Sequence, residues 1–511
     1  MRRIYQLALL IFSIGMLTAC GDDDKPTPKP NPPVEEKEPM PDPISEFIWN
    51  GLDVYYLWEA DVDALQLKSG TEEWKKYLNG YGSEYEELFE SLLYIKPDAN
   101  GSATVDRWSW FIYDWVEQEN AFAGISKSFG YEYRLSKYSD SDGVYGYVTY
   151  VVPNSPAAEA GVKRGDIFVS VNETDLDVSN YRDLLYGNDS YDLGLADLDV
   201  ENNIIIPNDN IVTISAIELT ENPILLAKTL DINGTKVGYM AYNSFTGTDE
   251  FNLALNDSIG RLKNEGATEL VLDLRYNGGG STYTALILAS MIDGNHVGEV
   301  FNKRKYNDML QNYYTDKYGE SFLEEYFTEK IENWDGEQLA SINSLGLSRV
   351  FVLTSDWTAS ASELIINGLR PYMDVVLIGT QTHGKYTFSI TVKDFLDNGE
   401  VNPKHKYAMQ PIVGKSANAE DNTDYGDGFA PDYIREEWDY LGNIKPLGDP
   451  EEAFLKAALD VIAGNNPPVE DNMATRSGEQ LETIFDSKEL KPFGRNMYDD
   501  RIDSKFKDLT K

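Results

Sequence analysis

Three short apolar runs do most to limit what this chain can fold into. Leu270-Val271-Leu272-Asp273-Leu274, Val350-Phe351-Val352-Leu353 and Val375-Val376-Leu377-Ile378 are each bounded by turns, and the segments between them carry helical patterning. A run with no polar face has none to offer solvent, so each reads as a strand covered on both sides. Strands of that kind need helices over the sheet, which predicts an α/β layer over residues 226–465. The chain has 511 residues, which by length alone suggests three to four domains. With 41% hydrophobic and 12% aromatic residues it can build sizeable cores, despite a net charge of −42.

That charge excludes whole classes of function. Lys and Arg number 44 against 86 Asp and Glu, so there is no basic face to displace counterions from a nucleic acid. It equally disfavours docking on anionic lipid through a basic patch, and it biases against acidic substrate segments. A single cysteine excludes an intramolecular disulfide framework, and three histidines leave little for a histidine-rich metal site.

The cysteine has its own explanation. Arg2 and Arg3 open the chain, and Leu7 to Met16 is an apolar run too short to span a bilayer. Leu17-Thr18-Ala19-Cys20 then resembles a bacterial lipobox, which implies a signal peptide over 1–19 and an acylated Cys20. Gly21-Asp22-Asp23-Asp24 resembles the export signal of surface lipoproteins in Bacteroidetes-like bacteria. The expected location is the cell envelope, anchored by lipid to the outer membrane and facing outside the cytoplasm. From Lys25 to Pro43 eight of 19 residues are proline, so 20–43 reads as an extended tether.

Residues 44–120 carry aromatic and apolar side chains at helical spacing (Phe47, Leu52, Tyr55, Tyr56 and Trp58, then Tyr85, Leu88, Phe89, Leu92 and Leu93), which predicts a small helical domain. The stripe reads as core, with no chemistry assigned to it. From 121 to 225 the pattern turns to short strands. Ser155-Pro156-Ala157-Ala158-Glu159-Ala160-Gly161-Val162-Lys163-Arg164-Gly165-Asp166 resembles the signature stretch of bacterial PDZ domains. Upstream, Ser128-Phe129-Gly130-Tyr131 resembles their carboxylate-binding loop, with Ser128 in place of the usual first glycine. Such a loop aims successive backbone N–H groups at an anion, beside a strand edge that accepts an extended peptide. After residue 465 the chain turns polar, and 466–511 reads as a tail with little core.

In the α/β region three polar stretches follow strands, where ligand sites of such sheets gather. They are Asp273-Leu274-Arg275-Tyr276-Asn277-Gly278-Gly279-Gly280, Thr358-Ala359-Ser360-Ala361-Ser362-Glu363-Leu364, and Gly379 to Lys385. In this order, and with Gly426-Asp427-Gly428-Phe429-Ala430-Pro431-Asp432 behind them, they resemble the S41 family of C-terminal processing (tail-specific) peptidases. The resemblance covers roughly 121–465. It implies a multidomain α/β protein with a helical N-terminal domain, a β-rich PDZ-like domain and a ClpP/crotonase-like peptidase core.

The resemblance further implies a serine–lysine pair with Ser360 as nucleophile and Lys385 as general base. Glu363 would orient the lysine, and Ala361 N–H with that of Gly279 or Gly280 would form the oxyanion hole. The PDZ-like loop, Ser128 to Tyr131, would bind the substrate's free C-terminus, and no cofactor is needed. The family's glutamine four residues after the lysine is Ser389 here. A lysine with its reference pKa of about 10.4 is only about 0.04% neutral at pH 7, so Lys385 must be buried among apolar groups to serve.

Other readings compete. Gly379-Thr380-Gln381-Thr382-His383-Gly384-Lys385-Tyr386 nearly matches a phosphate-binding loop, but Tyr386 stands where Ser or Thr would hold magnesium and a strand pattern follows, so no nucleotide is expected. His383 offers Ser360 a second possible base, but no Gly-x-Ser-x-Gly surrounds the serine. Asp140-Ser141-Asp142-Gly143 is too short for an EF-hand loop. The alternative of a different class is a catalytically silent lipoprotein that binds peptides through its PDZ-like domain.

Overall fold

The computed structural model describes residues 37–96, 105–139, 141–202, 204–467, 482–490 and 494–501. Cys20, the leader before it and most of the proline-rich stretch lie outside these residues.

Four helices form the N-terminal unit: α1 (Pro43–Tyr55), α2 (Glu72–Asn79), α3 (Tyr85–Ser91) and α4 (Trp115–Phe122). α1 begins where the Asp42 side chain accepts the Ile44 N–H and Pro43 takes the first helical position, which needs no donor. Its aromatic stripe turns inward, and Trp49, Leu52, Tyr55 and Phe89 join the same hydrophobic cluster as the α/β region. A short strand, Trp110–Ile112, pairs antiparallel with Ala408–Gln410 and stitches the two together.

The PDZ-like unit is an antiparallel sheet of β1 (Tyr131–Lys137), β2 (Val144–Val151), β3 (Ile167–Val171), β4 (Ser190–Asp199) and β5 (Ile204–Ser215), with the short helix α5 (Tyr181–Leu185) between β3 and β4. Leu135, Val148, Phe168 and Leu193 fill its core.

The α/β region includes β6 (Ile224–Ile232), β7 (Thr235–Tyr242), α6 (Asp249–Asn264), β8 (Glu269–Asp273), β9 (Gly280–Ser281), α7 (Thr282–Asp293), β10 (Val300–Tyr306), β11 (Arg349–Thr354), α8 (Ala361–Leu369), β12 (Asp374–Gly379), β13 (Thr387–Ser389), β14 (Ile412–Ala417), β15 (Tyr433–Ile434) and α9 (Ala453–Ile462). One sheet has the order β6-β7-β8-β11-β12-β15, parallel from β7 onward. Its strands alternate between two cores. Leu270, Leu272, Val350, Val352 and Leu377 pack on the side of α7 and α8, and Val271, Phe351, Leu353 and Ile378 on the side of α9. That two-sided burial is why these strands read as unbroken apolar runs.

The stretch after residue 465 corrects the expectation of a peripheral tail. β16 (Glu482–Asp486) pairs antiparallel with β1 and buries Phe485 in the PDZ-like core. β17 (Met497–Tyr498) lies between β9 and β13 in a second sheet of order β9-β17-β13-β14-β10, closed beyond β10 by the short strand Glu324–Tyr326, with Met497 in the large core. Distant strand edges supply the hydrogen bonds that make these segments strands.

Candidate active site

β8, β11 and β12 are parallel neighbours, so the loops that leave their carboxyl ends meet: 274–279, 355–360 and 380–386. Ser360 is the N-cap of α8, with φ 66° and ψ −115°. That region costs a side-chain-bearing residue about 1–3 kcal/mol, so its surroundings must impose it. They do: Thr358 Oγ1 donates to Leu274 O (2.8 Å) and Ala359 N–H to Asn277 O (3.3 Å), tying the serine's turn to the glycine-rich loop. Ser360 is fully buried. Its Oγ faces the start of α8 without closing a hydrogen bond of good geometry, and it finds no other partner among the described residues. Ser362, two positions on, turns away and donates to Asn277 O (3.0 Å).

Glu363 organises the site. Its Oε2 accepts the backbone N–H groups of Ser360 and of Lys385, both at 2.8 Å. Its Oε1 accepts Gly384 N–H and Thr382 Oγ1, both at 2.6 Å. Burial pushes this carboxyl up to about 7, with the four hydrogen bonds pulling the other way. Glu363 therefore holds the backbones of Ser360 and Lys385 together; no hydrogen bond joins it to the lysine's amine among those described.

Lys385 is also fully buried, and burial pulls its amine down to about 7, helped by Arg107 and opposed by Asp106 and Glu363. The N-terminal unit supplies much of that environment. Asp106 accepts N–H groups from Trp108 and Ser109 and the hydroxyl of Tyr56, and so shapes a turn that sets the Trp108 ring 5.4 Å from Lys385 Nζ. The aromatic domain to which the sequence assigns no chemistry thus covers the candidate base. The amine's hydrogen bonds go to the C-terminal segment: Arg495 O at 3.0 Å and Asn496 Oδ1 at 3.5 Å.

The glycine-rich loop lies between Ser360 and that segment. A Cβ on Gly279 (φ 111°) would stand 2.3 Å from Asn496 O, 2.7 Å from Ser360 Cβ and 3.0 Å from Ala361 N, so only glycine fits. Gly279 N–H donates to Asn277 Oδ1 (2.9 Å), which commits one of the two candidate glycine amides; the backbone of Gly280 pairs with Met497 instead. Asn277, which sequence reasoning did not single out, also sends Nδ2 to Tyr242 O and so fixes the loop. No hydrogen bond among the described residues joins Ser389 to Lys385. Its Oγ donates to Met497 O (3.2 Å) and accepts from Gln410 Nε2 (3.0 Å), so a glutamine does reach this corner, from a neighbouring strand. His383 is pulled down to about 4, chiefly by burial, and its ring packs on Trp108.

The PDZ-like loop lies at the start of β1. Ser128 Oγ accepts Gly130 N–H (3.0 Å), so the serine in place of glycine occupies one amide of the expected anion nest. Phe129 packs on Tyr191 at 4.3 Å, and Tyr131 shares a hydroxyl hydrogen bond with Tyr191 (2.8 Å). The unit is bolted to the α/β region by buried arginines: Arg164 pairs with Glu437 (2.6 Å) and donates to Tyr276 Oη, and Arg134 pairs with Asp356 (2.7 Å).

Three stretches of the chain match known protein families. Residues 236–433 match Peptidase family S41, residues 44–110 the Peptidase S41 N-terminal domain, and residues 147–190 the PDZ domain. A chloroplastic C-terminal processing peptidase of Tetradesmus obliquus is 25% identical over 266 residues, 49% of each chain. A carboxyl-terminal-processing protease of Picosynechococcus sp. is 23% identical over 247 residues, 46% of this chain and 49% of its own. The chain thus spans about half the length of the curated relatives it matches. A crystal structure of a protein assigned as an S41 protease from Bacteroides fragilis covers 84% of this chain and 98% of its own, at 27% identity and a TM-score of 0.64.

Proposed function

Because the chain belongs to the S41 peptidase family, we propose that it is a serine endopeptidase that cleaves proteins or peptides near their C-termini with a Ser360–Lys385 pair. The observation that carries this reading is the Glu363 clamp: one buried carboxylate holds the backbone N–H of both residues, 25 positions apart in sequence.

In the proposed reaction Ser360 Oγ attacks the scissile carbonyl carbon while its proton passes to the neutral Lys385 amine. The oxyanion that forms is met by Ala361 N–H at the start of α8 and by the N–H of Gly279 or Gly280, whichever leaves its present partner, Asn277 Oδ1 for the first and the Met497 strand for the second. The C–N bond breaks, the Lys385 ammonium returns its proton to the leaving amine, and water then hydrolyses the acyl-enzyme through the same base. For this the amine must exchange its bond to Arg495 O for one to Ser360 Oγ. The PDZ-like domain binds the substrate's C-terminal residues along β1, with the carboxylate at the Ser128–Tyr131 loop.

The test is reaction with a fluorophosphonate probe and cleavage of peptides ending in apolar residues, read by mass spectrometry. Ser360→Ala and Lys385→Ala should each lower cleavage by at least about 10³-fold while leaving the melting curve cooperative. Full activity in either variant refutes the pair. Peptide binding without cleavage by the unaltered chain would favour the silent, binding-only reading.

A further inference from the structure

The two places a peptide would occupy are both already filled by this chain. β16 runs antiparallel along β1, with Phe485 opposite Leu135 and Asp486 opposite Arg134, and heads toward the Ser128–Tyr131 loop. That is the direction in which a strand-adding ligand approaches a PDZ carboxylate loop. Phe485 packs between that strand and α5, its ring 6.0 Å from Tyr181 and 5.3 Å from Tyr186. The segment does not stop at the loop as a free C-terminus would. Ser487 Oγ accepts Tyr133 N–H (2.8 Å) and bonds Glu132, and Lys488 Nζ donates to Tyr276 O.

Residues 494–501 then cross the cleft. Asn496 N–H donates to Gly278 O (3.0 Å), Met497 faces Gly280, Asp499 N–H donates to Ser389 O (3.0 Å), and the carbonyl of Arg495 takes the amine of Lys385. Gly494 O lies so near Gly278 that a Cβ there would stand 1.7 Å from it.

We propose that the C-terminal segment, 482–490 with 494–501, is a built-in ligand of both peptide sites and holds the protein latent until a peptide in trans displaces it. The proposal rests on the peptidase reading for what the cleft does, and on the geometry above for what fills it. Three features favour a plug over a bound substrate. Its PDZ-side piece precedes its cleft piece in the chain, the reverse of a substrate held by its C-terminus and cut upstream. It draws the base away from Ser360. And among its described residues no carboxylate hydrogen-bonds the Ser128–Tyr131 loop, Asp486 pairing with Arg134 instead, so a ligand with a free C-terminus has an interaction open to it that these residues lack. Covalent connection keeps the plug at an effective concentration on the order of mM, which a competing peptide must overcome.

The test compares the full-length chain with full-length Phe485→Asp/Met497→Asp, in which each piece carries a charge into its pocket. Ser360 in the folded double variant should react with a fluorophosphonate at least tenfold faster. A synthetic peptide of residues 482–501, added in trans, should return that rate to the unaltered level. Equal rates in two folded chains overturn the plug and leave the peptidase reading standing. If neither chain reacts, the peptidase reading fails, and the plug is decided by whether the same peptide binds the double variant and not the unaltered chain. If the double variant does not fold, amide exchange on the unaltered chain decides: residues 494–501 should exchange at least tenfold faster than β11 and β12. Protection equal to those strands makes the segment a permanent part of the sheet and overturns the proposal.

Discussion

Glu363 and Lys385 are buried in the same cluster of loops and each has polar partners, but the partners come from different places. The carboxylate's four hydrogen-bond donors all lie on the two loops that leave β11 and β12, at Ser360, Thr382, Gly384 and Lys385. The amine's two acceptors both belong to the C-terminal segment, at Arg495 and Asn496. The backbone frame of the site is thus built once, by contacts within one domain. What the reactive amine touches depends on what lies in the cleft.

The largest expected effect comes from breaking the frame. Glu363→Ala leaves three buried backbone N–H groups without their acceptor, at about 1–3 kcal/mol each. A net loss of about 3–5 kcal/mol of stability should appear as a melting temperature lower by roughly 6–15 °C. Fluorophosphonate labelling of Ser360 should fall by about 10²–10³-fold, because the strained turn that presents the serine loses its tie to the Lys385 loop. Glu363→Gln, which keeps the shape and some of the acceptors, should lie between. Labelling unchanged in Glu363→Ala would mean that the frame does not rest on this residue.

A smaller effect tests the amine alone. With Lys385 pulled down to about 7, the reactive neutral form is scarce in acid, so labelling should rise about 50-fold between pH 5 and pH 7 and level off above. Burial is the main cause, and the Trp108 ring is part of what buries the amine. Trp108→Ala admits water and moves the midpoint upward by about one pH unit, which slows labelling several-fold at pH 7 and leaves it unchanged at pH 9. A uniform loss at both pH values would show that Trp108 matters only for folding.

How much of this was legible in the sequence follows the same division. β8, β11 and β12 stand out as apolar runs because both of their faces are buried, and the loops after β11 and β12 bring the backbones of Ser360 and Lys385 to one carboxylate, Glu363 in α8. These are properties of local pattern and strand order. The parts not legible depend on partners far along the chain. Glu482-Thr483-Ile484-Phe485-Asp486 is a short polar-flanked stretch that becomes a strand only because β1 offers it an edge, more than 340 residues earlier. Trp108 looks like one more aromatic of a helical domain, and only the turn around Asp106 carries it over the base. The role of Glu363 was half visible: its proximity follows from the motif, but its action on two backbones rather than on the amine does not.

The smallest effect asks which side of the comparison Ser389 belongs to. It stands where the family's glutamine is expected, which would place it with the amine as a partner in proton transfer. In the structure it serves the C-terminal segment instead, donating to Met497 O while Gln410 donates to it. Removing one neutral hydrogen bond of this kind costs about 1 kcal/mol net, which is roughly fivefold in how firmly the segment is held. Ser389→Ala should therefore leave labelling of Ser360 unchanged or raise it by up to about fivefold, with the pH midpoint still near 7. A tenfold fall, or a midpoint moved upward, would put Ser389 back beside the lysine and make the amine's side of the site more self-contained than its present contacts suggest.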